Sequence, residues 1–471
     1  MSTSSQAPAS GAAAALPSSG WAAEFRALFK LGWPLVIAQL AQSALFTTDV
    51  IVLGRLGAQY VAAGALANAL FICVQLFGIG TIGAVAPMVA QSLGARDFRS
   101  ARRTARQGLW LSVILFIVLF PIAWNIGPIY RWMGQDEALI ELAEAFIHAA
   151  IWLMLPSFLF IAMRSFLSAH GSTRAILLIT IAGVGVNILA NYLLVFGNWG
   201  FPRLEMVGSG IATTVVNFVM LALIIVYAQT KRRFRRYHLW HRLLTPDWPR
   251  LWELVRIGIP IGLMLLAEVA LFTSASLLQG WLGEAELAAH SVSLTIASLA
   301  FMVPLGLSQA TTVRVGLALG EHNPAGIRMA GWAALAMTLA FMSLTAIAFF
   351  VAPHQIVALF LDPGLAANAS PLALAAGFLI VAGVFQLADG TQVTMAAALR
   401  GLSDTNMPLV IALVGYWAVG FPVAWYFGFH TPLRGIGIWC GLAAGLAAVA
   451  GVLTIRFAMR ERLGLTRHAP V

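Results

Sequence analysis

The sequence predicts an all-α integral membrane protein whose twelve transmembrane helices form two pseudo-symmetric six-helix bundles, related as a parallel repeat. Three observations predict this fold class. The composition is 60% hydrophobic and only 10% charged over 471 residues, with a mean hydropathy of +0.87. The apolar residues fall into twelve long runs, and the first half of the chain aligns with the second at a constant offset.

The composition also excludes several classes of protein. Soluble domains are about 45–50% apolar, and one hydrophobic core stops growing at about 250–300 residues, so this chain is not water-soluble. Its two cysteines, Cys73 and Cys440, lie in apolar runs and exclude a disulfide framework. Its two lysines, Lys30 and Lys231, do not follow a glycine, which excludes a phosphate-binding loop. The net charge of +10 is typical of cytoplasmic loops, and no nucleic acid partner is expected.

Each spanning helix needs about 20 mostly apolar residues. Twelve such runs are centred near residues 42, 74, 117, 152, 186, 218, 267, 297, 340, 386, 416 and 446. The residues before the first run are small, polar and uncharged, which predicts a disordered tail rather than a signal peptide. The predicted domains are the tail (1–24), the first bundle (25–229), a basic linker (230–250), the second bundle (251–458) and a C-terminal tail (459–471).

The distribution of basic residues predicts the orientation. With the N-terminus inside, 24 of the 28 lysines and arginines fall in the N-terminal tail, the even-numbered connections and the C-terminus. This count assigns Arg164 and Arg174 to the fourth connection. The positive-inside rule then predicts cytoplasmic N- and C-termini and a cytoplasmic linker.

An internal repeat divides the chain. At an offset of 226 residues Gly32 aligns with Gly258 and Pro34 with Pro260, and matches continue over nearly ninety residues. Six helices per half is an even number, so both halves enter the membrane from the same side. Duplicated bundles of this kind are typical of secondary transporters. The connecting stretch KRRFRRYHLWHR (231–242) is expected to be a solvated topology determinant, with binding of anionic lipid as the alternative.

Three acidic residues, Asp49, Glu268 and Asp389, lie inside the apolar runs, where each costs about 2.5–3.5 kcal/mol. Glu268 follows Arg256 by twelve residues and Asp389 precedes Arg400 by eleven, so both lie about 17 Å deep at about 1.5 Å per residue. Two carboxylates at one depth in one half predict a cation or proton site. The alternative is that each acid pairs separately with a buried polar group.

Asp49 predicts a second polar cluster in the first half. It lies about 28 Å from the cytoplasmic end of its helix, and Asn191 lies at a similar depth with Asn187 one turn away. In the alternative interpretation, Asp49 snorkels to the interface. The symmetry mate of Asp49 is Ala275.

Two further residues are predicted to line a substrate cavity. Phe385 lies one turn from Asp389, and an aromatic face beside an acid can receive an organic cation. Gln42 is the symmetry mate of Glu268.

These residues lie in segments that resemble the multidrug and toxic compound extrusion (MATE) family, in particular its NorM-type bacterial branch. The resemblance covers about 25–460. The segments that carry it are LGWPLVIAQLAQSALFTTDVIVLGRLG (31–57), VNILANYLLVFGNWGFP (186–202), VGSGIATTVVN (207–217), IGIPIGLMLLAEVALF (257–272) and FQLADGTQVTMAAALRGLSDTNMP (385–408).

The resemblance implies a monomeric exporter of the bacterial inner membrane, with a V-shaped cavity between two bundles. It implies export of cationic, amphipathic drugs against Na⁺ or H⁺, contact with membrane lipids, no catalytic residue and no cofactor. Glu268 and Asp389 match the acids implicated in Na⁺ coupling, which favours Na⁺ at these two residues. Asp49, Asn187 and Asn191 match the polar network of the first half.

Two positions depart from the family pattern. Residue 191 is Asn where some archaeal relatives carry Asp, and residue 385 is Phe where some NorM-type members carry Tyr.

Three other functions are alternatives to drug export. A flippase for lipid-linked oligosaccharides or peptidoglycan precursors would need cationic residues in its cavity to hold a pyrophosphate. A membrane-embedded enzyme would need a nucleophile and base or an HExxH helix, and the sequence contains neither pattern. A purely structural membrane protein has no use for acids at mid-bilayer depth.

Overall fold

The computed structural model describes residues 20–241, 245–365 and 368–467, and over these ranges it is helical without β-strands. Within these ranges, twelve helices are long and apolar enough to cross a membrane. All twelve predicted centres fall within them, so the predicted fold class is confirmed. The spanning helices are α1 (Trp21–Leu56), α2 (Gln59–Gly94), α3 (Phe98–Trp132), α4 (Glu137–Ala169), α5 (Thr173–Leu194), α6 (Glu205–Thr230), α7 (Trp248–Leu282), α8 (Glu284–Gly320), α9 (Pro324–Val351), α10 (Ala369–Gly401), α11 (Asn406–Phe429) and α12 (Gly435–Ala458).

The bundle boundaries were predicted at 25 and 251, and α1 and α7 begin slightly earlier, at Trp21 and Trp248. Most of the predicted N-terminal tail, residues 1–19, lies outside the described part of the chain, as do 242–244 of the linker and 468–471 of the C-terminal tail.

Two of the interruptions in the helices follow the repeat. Pro34 lies inside α1 and Pro260 inside α7, at symmetry-related positions. A proline removes one backbone hydrogen bond, and a membrane helix tolerates this loss when neighbouring helices cover the site. α2 is interrupted at Gly83 and Ala84, and α11 contains a π-helical segment, Val414–Gly420.

Two hydrophobic cores hold the helices together: one is built mainly by the first half and continues into α7, α8 and α9, and the other lies within the second half. In the first half α1 packs on α5 and α5 on α6, and in the second half α10 packs between α8 and α12. The halves meet where α1 packs on α8 and α2 on α7.

The halves are joined at the helix ends adjoining the linker, a region we call the linker side. Here Arg314 of α8 forms a buried ion pair with Glu24 of α1. Gln91 of α2 donates from Nε2 to the carbonyl oxygen of Gly401, at 2.8 Å. Gly320 of α8 packs so closely on α2 that a Cβ there would overlap the carbonyl oxygen of Gln91. Small residues that let helix backbones approach are typical of membrane interfaces.

The linker packs against the first half. Phe234 and Leu239 are both 3% exposed, although the surrounding cationic side chains are exposed. The Tyr237 hydroxyl lies 2.8 Å from His170 Nε2, at the end of α4. Arg106 of α3 donates to the linker backbone at the Leu239 carbonyl, at 2.9 Å. The expectation of a solvated loop is therefore wrong for the apolar residues of this segment, which anchor it to the bundle.

Candidate functional site

Asp49 lies near the end of α1, where helices α5 and α6 surround its carboxylate. Oδ1 accepts hydrogen bonds from Asn187 Nδ2 at 3.1 Å and from Asn191 Nδ2 at 2.9 Å. Oδ2 accepts from the Thr213 hydroxyl at 3.1 Å. The structure thus brings together Asp49, Asn187 and Asn191, as their depths in the sequence predict.

This first-half cluster is well shielded. Asn187 and Asn191 are 0% and 1% exposed, and Asp49 is half-buried. A desolvated carboxylate is stabilised by several charge-assisted hydrogen bonds, which these three donors supply. The bonds direct the carboxylate toward α5 and α6, which disfavours the interpretation that Asp49 snorkels to the interface. A coupling role for the cluster stays a prediction.

Thr213 was not predicted as a member of this cluster. Its hydroxyl also bonds the carbonyl oxygen of Ser209 one turn earlier, at 3.0 Å. Threonine makes that local bond in many helices, so the residue type gives no signal by itself. Thr213 lies in 207–217, one of the segments that carry the family resemblance, and this position was the signal that could have identified it.

The second-half acids lie on two helices that a side-chain contact connects. Glu268 is on α7 and Asp389 is on α10. Asp389 is 5% exposed. Gln392, one turn beyond Asp389, is fully buried, and its Nε2 lies 3.4 Å from Glu268 Oε2. The structure therefore groups the predicted acids in one half and adds a glutamine to them.

This second-half cluster contains oxygens without a donor. Asp389 Oδ1 and Gln392 Oε1 are buried and have no hydrogen-bond partner among the described residues. The Tyr416 hydroxyl, in the π-helical segment of α11, is also buried without one. Buried acceptors that lack donors need an explanation, such as a water or an ion.

The predicted cavity residues are placed differently. Phe385 is 2% exposed, and its ring packs edge-on against Trp439 and Phe272, with centroids 5.5 and 6.0 Å apart. In this conformation it belongs to the core of the second bundle. Gln42 is half-buried, and its Oε1 accepts from Arg164 Nη1 at 3.2 Å. Contact of either residue with a substrate stays a prediction.

Arg164 requires a correction. The charge count assigned it to a cytoplasmic connection, but it lies within α4 and is 7% exposed. Its Nη2 donates to Gln39 Oε1 at 2.8 Å and to Gln309 Oε1 at 2.6 Å. A charge five residues before the end of an apolar run looks like a flanking residue, but α1 and α8 cover it here.

Sequence comparisons give a consistent result. The sequence model of the family described as MatE matches residues 34–193 and 260–426. A "Probable multidrug resistance protein NorM" from Mesorhizobium japonicum is 42% identical over 96% of this chain and 97% of its own length. A protein of the same name from Rhizobium meliloti is 42% identical over 93% of this chain and 94% of its own.

Solved structures share the fold. A eukaryotic MATE transporter, AtDTX14, superposes with a TM-score of 0.84 at 19% identity, over 95% of this chain and 98% of that one. An outward-facing multidrug resistance MATE family transporter of the MOP superfamily gives 0.81 at 22% identity, over 95% and 97%.

Proposed function

This chain belongs to the MatE family, and from that premise we propose that it is a secondary antiporter, exporting cationic, amphipathic drugs in exchange for Na⁺ or H⁺. The resemblance found in the sequence motifs is confirmed, and the homologues are transporters rather than enzymes. The name of the relatives, multidrug resistance protein NorM, supports drugs as the exported class.

The observation that carries the proposal is the second-half cluster. Two carboxylates and the Gln392 amide contribute oxygens to this site, in which Asp389 and Gln392 are buried and Glu268 is half-buried. Two of these oxygens have no donor among the described residues. Hard cations such as Na⁺ take oxygen ligands, and a carboxylate can alternatively accept a proton. The coupling ion is thus proposed to bind at Glu268 and Asp389.

Exchange requires a second conformation. Contacts between the halves are concentrated on the linker side, where interface glycines pack on the opposite half. Toward the other ends of the same helices, Gly64 and Gly280 pack on their own half. We propose that the halves rock, so that the cavity opens alternately to each side, as in other duplicated bundles. Ion and drug then drive export by favouring different conformations.

The proposed location is the bacterial inner membrane, with both termini and the linker in the cytoplasm. The distribution of basic residues supports this orientation. A reporter fused after Trp240 tests it: a fusion active only in the cytoplasm is expected, and periplasmic activity would overturn the orientation.

One observation favours the second candidate, a flippase for a lipid-linked oligosaccharide or peptidoglycan precursor. Arg164 is a buried cation between the halves, and a pyrophosphate needs cationic ligands. The three membrane-embedded acids argue against a flippase. A single guanidinium held by three amide oxygens is a weaker basis than the two acidic clusters.

The experiment is efflux from proteoliposomes that contain the purified chain and a fluorescent cationic drug. Na⁺ and H⁺ gradients are imposed separately, and Glu268→Gln serves as the variant without coupling. We expect gradient-driven export by the wild type only. Absence of drug movement under both gradients, together with transbilayer movement of a lipid-linked sugar, would establish the flippase instead.

A further inference from the structure

The linker encloses a cavity where it folds back over the end of α6. The cavity has a volume of about 140 Å³. One water needs about 10–15 Å³ of such volume, so the space holds a group several times larger. Ala228, Phe234 and Leu239 form its apolar lining, and each is at most 4% exposed.

The opposite lining is cationic or polar and exposed. This exposed lining consists of Arg235, His238 and His241. Among the described residues, no carboxylate lines the cavity. The cavity is therefore amphipathic, with an apolar floor and a basic rim.

Its walls are fixed by bonds to the first bundle. Arg106 of α3 donates to the carbonyl oxygens of His238 and Leu239, at 2.6 and 2.9 Å. Tyr237, two residues before Leu239, is bonded to His170 of α4. The cavity is thus a feature of the folded linker and does not depend on a free loop.

The cations at the rim form no ion pair with the described carboxylates. Nearby acids are already paired: Asp247 with Arg103 and Glu253 with Arg250, each at 2.6 Å. Within the part of the chain that the structure describes, no carboxylate forms an ion pair with the exposed cations of 231–236.

The cavity also lies at the right height for a lipid. α6 ends at Thr230, directly before it, and Trp240 at its edge is 38% exposed. Tryptophan is enriched where a helix leaves the bilayer, and basic clusters next to a spanning helix attract anionic lipids.

We propose that this cavity binds the headgroup of an anionic phospholipid. Arg235 contacts the phosphate at the rim, and the glycerol backbone lies over Phe234 and Leu239. A zwitterionic headgroup carries its own cation, which the rim repels, so the site discriminates in favour of anionic lipid. This inference does not depend on drug export or ion coupling.

The test measures binding of dioctanoyl phosphatidylglycerol to the purified full chain by native mass spectrometry at physiological salt. Parallel samples contain dioctanoyl phosphatidylcholine or inorganic phosphate. We expect binding of the phosphatidylglycerol at least tenfold tighter than of either alternative. Arg235→Gln is expected to weaken it about fivefold, the usual contribution of one cation near an anionic surface.

The matched control is Arg236→Gln, which removes the same charge from the same linker outside the cavity lining. We expect it to change affinity less than twofold, because salt screens charges that do not contact the ligand. Gln229→Trp fills the mouth of the cavity without changing charge and is expected to weaken binding as Arg235→Gln does.

Three outcomes would overturn the proposal. Equal effects of the two arginine variants would show diffuse attraction rather than a site. Equal binding of phosphatidylcholine would remove the headgroup selectivity. Equally tight binding of inorganic phosphate would identify a phosphate site in place of a lipid site.

Discussion

Arg164 on α4 and Gln309 on α8 are joined by a hydrogen bond of 2.6 Å that crosses the boundary between the two halves. The other acceptors of the same guanidinium, Gln39 and Gln42, belong to its own half. All three are neutral amide oxygens. When the halves separate, Arg164 can therefore lose its bond to Gln309 and still keep two acceptors. Separation of the buried ion pair of Glu24 and Arg314, in contrast, leaves each partner without its counter-ion.

Loss of this bond should shift the conformational equilibrium. Gln309→Leu removes the acceptor across the boundary, and a hydrogen bond to a charged group contributes about 1.5–3 kcal/mol. We expect a larger fraction of molecules whose linker side is open. This is measured as a longer distance between spin labels that replace the side chains of Arg99 and Arg328. Gln39→Leu removes an acceptor within the first half and is the control. Equal shifts in both variants would contradict a bridging role for Gln309.

The second-half acids should be needed for coupling and dispensable for insertion. Glu268→Gln and Asp389→Asn keep the shape of the side chain but remove the charge that holds a cation. We expect normal membrane levels and loss of gradient-driven efflux. Glu205→Gln is a control, since that carboxylate bonds the Tyr60 hydroxyl outside the cluster, at 2.6 Å. Export at the wild-type rate by either cluster variant, at equal expression, would refute the site.

Asp49 should act in release rather than in drug binding. In Asp49→Asn an amide NH₂ faces donors from Asn187, Asn191 and Thr213, so the network must rearrange. We expect drug binding in detergent with failed release when the ion gradient is applied.

Thr213→Val removes one of the three bonds to Asp49 and should give a milder defect, and loss of Asn191 should do the same. Binding and release are measured on the same purified protein. Normal transport by Asp49→Asn would leave Asp49 as an interface residue without a coupling role.

A methyl group at the close crossing of α8 and α2 should disfavour closure of the linker side. In Gly320→Ala the new Cβ overlaps the carbonyl oxygen of Gln91, and overpacking of this kind costs about 1–3 kcal/mol. We expect slower efflux and a broader distribution of the Arg99 to Arg328 distance. Gly451→Ala adds the same group on α12, where nothing lies within 4 Å, and should leave both unchanged. Similar broadening in the two variants would contradict the crossing as the cause.

The docked linker should loosen in acid. Burial lowers the pKa of His170 to about 4 from about 6.5, and the nearby positive charge of Arg233 acts in the same direction. Above pH 6.5 the imidazole is neutral whether docked or free, so it adds no pH dependence. As pH falls from 6.5 to 4, the His170 imidazole binds a proton only when the linker is undocked and the ring is exposed. This difference destabilises docking by up to about 3 kcal/mol.

Hydrogen exchange of residues 231–241, corrected for intrinsic rates, should therefore rise over this pH range in the wild type. His170→Gln cannot titrate and should show a flatter profile. Identical profiles would exclude His170 as the origin.

The sequence predicts the features that depend on hydropathy and helical spacing. The twelve helices follow from run length, and the approach of Asn187 and Asn191 to Asp49 follows from depth along helices of fixed rise. Such properties are local or geometric, and packing does not alter them.

The sequence does not predict features that arise from contact between distant segments. Arg164 is buried because α1 and α8 cover it, and neither contact is visible in its own neighbourhood of the chain. Phe385 lies beside Asp389 along the helix, but Phe272 and Trp439 enclose its ring. Within the linker, Phe234 and Leu239 were the available signal for docking, obscured by the surrounding basic residues.

The fastening of the linker has a mechanical consequence for α7. Arg250, in the first turn of α7, donates to the hydroxyls of Ser100 and Thr104 on α3, both at 2.9 Å. The first turn of α7 is therefore held to the first half, although the repeat assigns this helix to the second half. In the rocking motion proposed above, bending is expected farther along the same helix, because Pro260 interrupts its hydrogen bonding ten residues after Arg250. We therefore expect a bend at Pro260 to reorient the carboxylate of Glu268, which lies eight residues beyond it on the same helix.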